Sequence, residues 1–285
     1  MATTVAEALR AAASRLASVS DTARLDAELL MAHAIGVGRT ELLLRHMQAD
    51  VPGGFAAVLE RRERHEPMAY IVGVQEFYGR EFAVGPAVLI PRADSETTVA
   101  AALEACPSPA RVLDCGVGSG ALLLTVLCEC PAARGVGIDR SADALAVARA
   151  NAERLGVMDR ATLEERDWHR AGWGDALGRF DMILANPPYV EVEALLDPDV
   201  RDWEPAGALF AGPEGLDDYR VLIPQLSALL NENGMAVLEI GATQAEAVAA
   251  IAAEAGFGSE LRRDLAGRPR SLILRLGLGK AARSD

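Results

Sequence analysis

Hydrophobic and polar positions recur along this chain with two different periods. Up to about residue 70 the period is helical. Val5, Ala8, Leu9, Ala12 and Leu16 fall on one face, and Thr4-x-x-Glu7 ahead of them has the form of a capping box. A second helix fits residues 21–35, with Leu25, Leu29, Leu30 and Ala34 apolar and Gly36 as its stop. A shorter helix fits 40–47. After Pro52-Gly53-Gly54 breaks the chain, another fits 55–65 and ends before Pro67.

Two strand-like stretches, 74–78 and 80–84, then flank Gly79 as a hairpin. From residue 92 short apolar runs alternate with helical stretches. The runs at 111–114, 135–139, 161–165, 180–185, 235–240 and 272–276 predict strands. The stretches reaching Cys128 and spanning 142–155, 216–230 and 244–255 predict helices. This alternation implies an α/β fold with a mostly parallel, doubly wound sheet. Three segments are expected: a helical domain over 1–72, a β-hairpin linker over 73–91, and the α/β domain over 92–285.

Composition narrows the partners. The 285 residues suffice for about two domains. Asp plus Glu number 41 against 28 Lys plus Arg, a formal charge of −13. That excess opposes stable binding of nucleic acid or anionic lipid, both of which call for basic surfaces. Residues 1–20 carry Glu7, Arg10 and Arg15, and no apolar run is long enough to span a bilayer, so a cytoplasmic protein is expected. Four cysteines and four histidines are scattered without a C-x-x-C pair, so reduced thiols and no metal site are expected.

Two motifs carry chemistry. Asp114-Cys115-Gly116-Val117-Gly118-Ser119-Gly120 follows an apolar strand and opens a helix, the context of a nucleotide-binding glycine loop. Its G-x-G-x-G spacing differs from the dinucleotide fingerprint. Asp139, nineteen residues after Gly120 and at the end of the next strand, is placed to accept both hydroxyls of a ribose. The second motif, Asn186-Pro187-Pro188-Tyr189, ends the fourth strand, where a parallel sheet opens on its ligand crevice. Consecutive prolines make a stiff arc. On it the Asn186 side-chain oxygen and the Pro187 carbonyl, both acceptors, suit a planar NH2 group, and Tyr189 suits stacking on a flat substrate.

Together these residues resemble the Rossmann-like class I methyltransferases that use S-adenosyl-L-methionine and methylate planar amino groups. The flanking sequence narrows the resemblance. Pro67-Met68-Ala69-Tyr70-Ile71-Val72-Gly73, Glu76-Phe77-Tyr78-Gly79, Val88-Leu89-Ile90-Pro91-Arg92, Glu204-Pro205 and Gly215-Leu216-Asp217-Asp218-Tyr219-Arg220 are similar to the HemK-type family, the peptide chain release factor glutamine N5-methyltransferases. The likeness covers about residues 60–275. It implies a Rossmann-like sheet with a small N-terminal helical domain joined by a β-hairpin. The implied donor is S-adenosyl-L-methionine, and the implied acceptor is the glutamine of the Gly-Gly-Gln motif in class I release factors.

By the same resemblance, Asp114 and Gly116 to Gly120 would line the methionine end, with Val117 and Ser119 in that loop. Asp139 would hold the ribose, and Asp167-Trp168 would meet the adenine. Asn186, Pro187, Pro188 and Tyr189, with Arg92, would hold the glutamine amide. Two departures stand out. Ala93 replaces the family's usual Pro, and Val117 replaces its usual Thr and leaves no side-chain hydroxyl there.

Other residues carry blander expectations. Arg61-Arg62-Glu63-Arg64-His65 reads as a solvated helix face ahead of a partner-binding patch. His169 reads as a surface residue, Trp173 and Trp203 as packing, and Arg263 to Arg268 as a turn without chemistry. An adenine-N6 or guanine-N2 methyltransferase acting on DNA or RNA is the alternative that the same Asn-Pro-Pro-Tyr motif allows. A catalytically idle cofactor-binding scaffold is the alternative outside enzymes. A monomer is expected.

Overall fold

The computed structural model describes residues 4–277. They form two compact units. One holds the residues up to Val74 together with Leu196–Trp203, and the other holds Gln75–Leu195 and the residues from Glu204 onward.

The first unit is helical. Helix α1 (Val5–Leu16) starts at the capping box: the Glu7 N–H donates to Thr4 Oγ1 and the Thr4 N–H donates to Glu7 Oε2. It buries Val5, Leu9, Ala12 and Leu16 against helix α2 (Ala23–Ile35), which stops at Gly36 in the left-handed conformation. Helix α3 (Arg39–Glu41) runs into a π-helical turn, Leu42–His46, where the sequence pattern predicted a plain helix. Helices α4 (Phe55–Glu63) and α5 (Met68–Val72) complete the unit, and α5 is an element the pattern missed.

The basic cluster in this unit is a solvated face only in part: Arg64 is exposed, but Arg62 is buried and Arg61 and His65 are paired. Arg62 is 5% exposed. It donates to Asp26 Oδ2 at 2.8 Å and to Asp199 Oδ2 at 2.7 Å. Arg61 makes a two-pronged pair with Glu66, and His65 Nδ1 lies 3.2 Å from Asp199. The Arg62 and His65 partners, Asp26 and Asp199, lie 36 to 137 positions away, invisible to local charge patterning.

The second unit opens with strands β1 (Val74–Phe77) and β2 (Arg80–Ala83), joined through Tyr78 and Gly79. Both of these residues have positive φ, which a two-residue hairpin requires. The hairpin is tied to this unit by Asn151. Asn151 accepts from the Ala83 N–H and donates to the Ala83 and Ser119 carbonyls. Helix α6 (Glu96–Ala105), also missed, leads to β3 (Arg111–Cys115), α7 (Ala121–Glu129), β4 (Arg134–Asp139), α8 (Ala142–Arg154), β5 (Ala161–Glu165) and β6 (Phe180–Ala185). The one-turn helix α9 (Pro198–Arg201) belongs to the first unit, although the boundary expected from sequence puts it in the α/β domain. The chain then returns for α10 (Asp217–Leu229), β7 (Leu230–Glu239), α11 (Ala245–Glu254), β8 (Phe257–Arg263) and β9 (Pro269–Leu276).

The seven-stranded sheet has the order β5-β4-β3-β6-β7-β9-β8. Its first five strands are parallel; β9 runs antiparallel to β7, and β8 antiparallel to β9. Alternation along β6 shows how the layers form. Met182 and Leu184 pack with α6, α7 and α8, while Ile183 and Ala185 pack with α10 and α11. The chain builds outward from β3 in one direction and from β6 in the other. The crevice above the β3–β6 pair is therefore the topological switch point, the natural ligand position in an open α/β sheet.

Candidate active site

The glycine loop and the Asn-Pro-Pro-Tyr arc sit side by side because β3 and β6 are neighbours, with Cys115 opposite Ala185. A pocket within this unit lies over both. The backbone of Gly116 and Gly118, at φ of 81° and 52°, forms its floor. Side chains would be strained at such angles. A Cβ on Gly116 would also come within 3.1 Å of the Trp168 ring, so the loop and the ring leave a narrow slot.

Asp139 ends β4 on the rim of this pocket. The Gly118 N–H donates to its Oδ2 at 3.0 Å and the Ser141 N–H to its Oδ1 at 2.9 Å. The carboxylate is therefore rigid, and each oxygen keeps a lone pair for a further donor. Asp114 is 1% exposed at the end of β3. Its Oδ2 accepts from the Leu123 N–H, while Oδ1 is buried with no partner among the described residues. Burial pushes the Asp114 carboxyl up to about 7; the Leu123 N–H pulls it down and the Asp139 charge adds to the rise.

Trp168 forms a wall. Its Nε1 donates to Asp218 Oδ1 at 3.0 Å, and its carbonyl accepts from Gln225. His169 is a surface residue, as its sequence context suggested, and it bridges Asp167 and Asp218. Val117 and Ser119 also line the pocket, and Val117 Cγ2 fills the space that Gly137 leaves empty. Gly120 opens α7 outside the lining.

On the other side, Asn186 and Pro188 reach the pocket, whereas Pro187 and Tyr189 lie outside its lining. The Asn186 carboxamide makes no hydrogen bond to any described residue. Tyr189 faces away, its hydroxyl donating to Glu239 Oε1 at 3.3 Å. Burial, with the Glu239 charge behind it, raises the Tyr189 hydroxyl pKa. Arg92 lines the pocket and is ion-paired with Glu204, which also accepts from the Ile90 N–H. Arg140 donates to the Gly207 carbonyl at 2.7 Å. These two links tie the segments on either side of Arg92 and Pro205 across the pocket.

Glu204 and Asp218 stand inside the sequence motifs without an assigned role, and Glu239 and Arg140 lie outside them. An acidic residue closing an apolar strand was the available signal for Glu239.

The donor set fits a cationic nucleoside with an amino-acid tail. A buried, unpartnered carboxylate oxygen at Asp114 suits a cation, the spare lone pairs of Asp139 suit vicinal hydroxyls, and the Trp168 slot suits a flat ring.

Comparison with known proteins decides the family. Residues 7–73 match the PrmC N-terminal domain and residues 108–215 a methyltransferase domain. A release factor glutamine methyltransferase of Caulobacter vibrioides is 40% identical over 96% of both chains. One of Cereibacter sphaeroides is 43% identical over 95% of this chain and 98% of its own. This chain belongs to the release factor glutamine methyltransferase family. It is a methyltransferase, and S-adenosylmethionine is its methyl donor. A methyltransferase from Pyrococcus furiosus, 16% identical, aligns with a TM-score of 0.51 over 69% of this chain and 89% of that one, a likeness of fold alone. No helix among the described residues is long and apolar enough to cross a membrane.

Proposed function

We propose that this methyltransferase transfers a methyl group to the side-chain amide nitrogen of the glutamine in the Gly-Gly-Gln motif of class I release factors. The observation that carries the reading is the Asn186 carboxamide. It lines the pocket on a stiff Pro-Pro arc and is committed to no partner inside the chain.

Bound S-adenosylmethionine supplies an electrophilic sulfonium methyl group. Asp139 holds the ribose hydroxyls, the Gly116–Gly118 backbone and Asp114 hold the amino-acid end, and Trp168 with Asp167 frames the adenine. The chain's remaining task is to activate and orient a poor nucleophile, because an amide nitrogen shares its lone pair with the carbonyl. Asn186 Oδ1 and the Pro187 carbonyl accept the two amide hydrogens. They stabilise the positive charge that grows on nitrogen, so they act more strongly in the transition state than on the bound substrate. They also direct the lone pair along the transfer line, an orientation effect of several kcal/mol. The surplus proton leaves to solvent, and Arg92 helps seat the peptide.

Action on a translation factor fits a cytoplasmic enzyme, and light scattering after gel filtration checks the expected monomer. The deciding experiment offers labelled S-adenosylmethionine with a release factor, its Gly-Gly-Ala variant and nucleic acid. Label in the first alone is expected. Label in nucleic acid alone overturns the reading in favour of a base methyltransferase, and label nowhere favours the scaffold.

A further inference from the structure

Behind the acceptor arc, at the end of β7, sits a buried carboxylate. Glu239 is 1% exposed. Its Oε1 accepts from the Tyr189 hydroxyl at 3.3 Å, its Oε2 is buried without a hydrogen-bond partner among the described residues, and its backbone carbonyl accepts from the Tyr219 hydroxyl at 2.7 Å. A buried acid with a spare oxygen costs folding free energy, and an apolar or amide side chain would avoid that cost.

The backbone of Tyr189 has one anchor of its own. Gln244 Nε2 donates to its carbonyl at 3.0 Å, and Gly215 lies so close that a Cβ there would come within 2.2 Å of the same oxygen. The ring supplies the second anchor, and its hydroxyl makes its one hydrogen bond among the described residues to Glu239.

We propose that Glu239 is a positioning residue: its ionised carboxylate holds the Tyr189 hydroxyl and thereby fixes the arc that presents Asn186. The role rests on the reading of Asn186 as the group that binds the methyl acceptor.

The groups around this carboxylate set when it ionises. Burial pushes Glu239 up to about 6; Ser95, Arg270 and Tyr189 pull it down, and Asp94 pushes it up. Tyr219 is raised far out of range by its own burial, and Arg92 acts on Tyr189 from the pocket side. Arg270 is in turn held by Asp94 at 2.6 Å, so its charge is shared. As pH falls through about 6 the carboxylate takes up a proton and becomes a weaker acceptor, so turnover should fall with it.

The test measures kcat from pH 5 to 8, cofactor Kd and Tm for the full-length wild type, Glu239→Gln, Tyr189→Phe and the double variant, with Asn186→Ala alongside. Each single variant is expected to lose about tenfold in kcat, to flatten the acid limb and to keep cofactor Kd within about twofold. The double variant should lose no more than either single, because both act through one contact. Glu239→Gln should hold or raise Tm. Wild-type kcat in Glu239→Gln, multiplied losses in the double variant, or a Tm drop that accounts for the lost activity each overturn the positioning role. Full turnover in Asn186→Ala overturns instead the site reading on which it rests.

Discussion

The two sides of the pocket are built on opposite plans. On the glycine-loop side the acceptor on the rim is held in place by the chain's own backbone, and only the buried Asp114 Oδ1 lacks a partner among the described residues. Asp139 is gripped by the Gly118 and Ser141 N–H groups and offers only its remaining lone pairs. On the Asn-Pro-Pro-Tyr side the key carboxamide is left uncommitted, and stiffness comes from elsewhere: two prolines, Gln244 on the Tyr189 carbonyl and Glu239 on its hydroxyl. A site that binds one invariant small molecule can afford preset acceptors. A site that receives part of another protein needs a free group on a rigid mount.

The sharpest way to break this contrast is Asn186→Ala. Removing an acceptor that acts mainly in the transition state should lower kcat by about 100-fold or more while cofactor Kd stays within a few-fold. Single-turnover kinetics beside calorimetric titration separates the two quantities. Asp139→Ala should do the reverse. Hydrogen bonds to a charged group contribute about 1.5–3 kcal/mol, so cofactor Kd should weaken by roughly 10- to 100-fold, with kcat at saturation little changed. If either variant alters both quantities equally, the division of labour fails.

Asp114 sharpens the contrast through pH. Folding raises its pKa from 3.8 to about 7. The cofactor-free protein therefore loses stability as pH rises from about 4 to 7, because ionisation is easier in the unfolded chain. A bound cation favours the ionised form, so cofactor Kd should weaken by up to about tenfold per unit as pH falls below 7. Titrations across pH 5.5–8.5 should show this slope in the wild type and a flat line in Asp114→Asn. The smallest effect is expected at Glu204→Gln. Arg92 is partly exposed, so water replaces much of the lost pairing, and a change of a few-fold in cofactor Kd should mark the loosened link to Ile90.

Sequence legibility followed the range of the interactions. The glycine loop, Asp139 and the Asn-Pro-Pro-Tyr arc were readable because each motif carries its conformation locally, and strand ends in a parallel sheet converge by topology. β8 escaped notice because most of it is exposed and polar, as an edge strand is. Helix α6 escaped because its Thr- and Ala-rich run has little apolar contrast between faces. The pairings Glu204–Arg92, Glu239–Tyr189, Asp218–Trp168 and Arg62–Asp199 join residues 50 to 137 positions apart, so no window of sequence displays them.

The short excursion Leu196–Trp203 has a consequence for heredity. The polypeptide passes between the two units three times, at Val74–Gln75, Leu195–Leu196 and Trp203–Glu204. No single break in the gene separates one unit from the other, and a recombination event after codon 74 would strand eight residues without Arg62 to receive Asp199. The helical unit and the methyltransferase unit are thus constrained to be inherited, lost or exchanged as one.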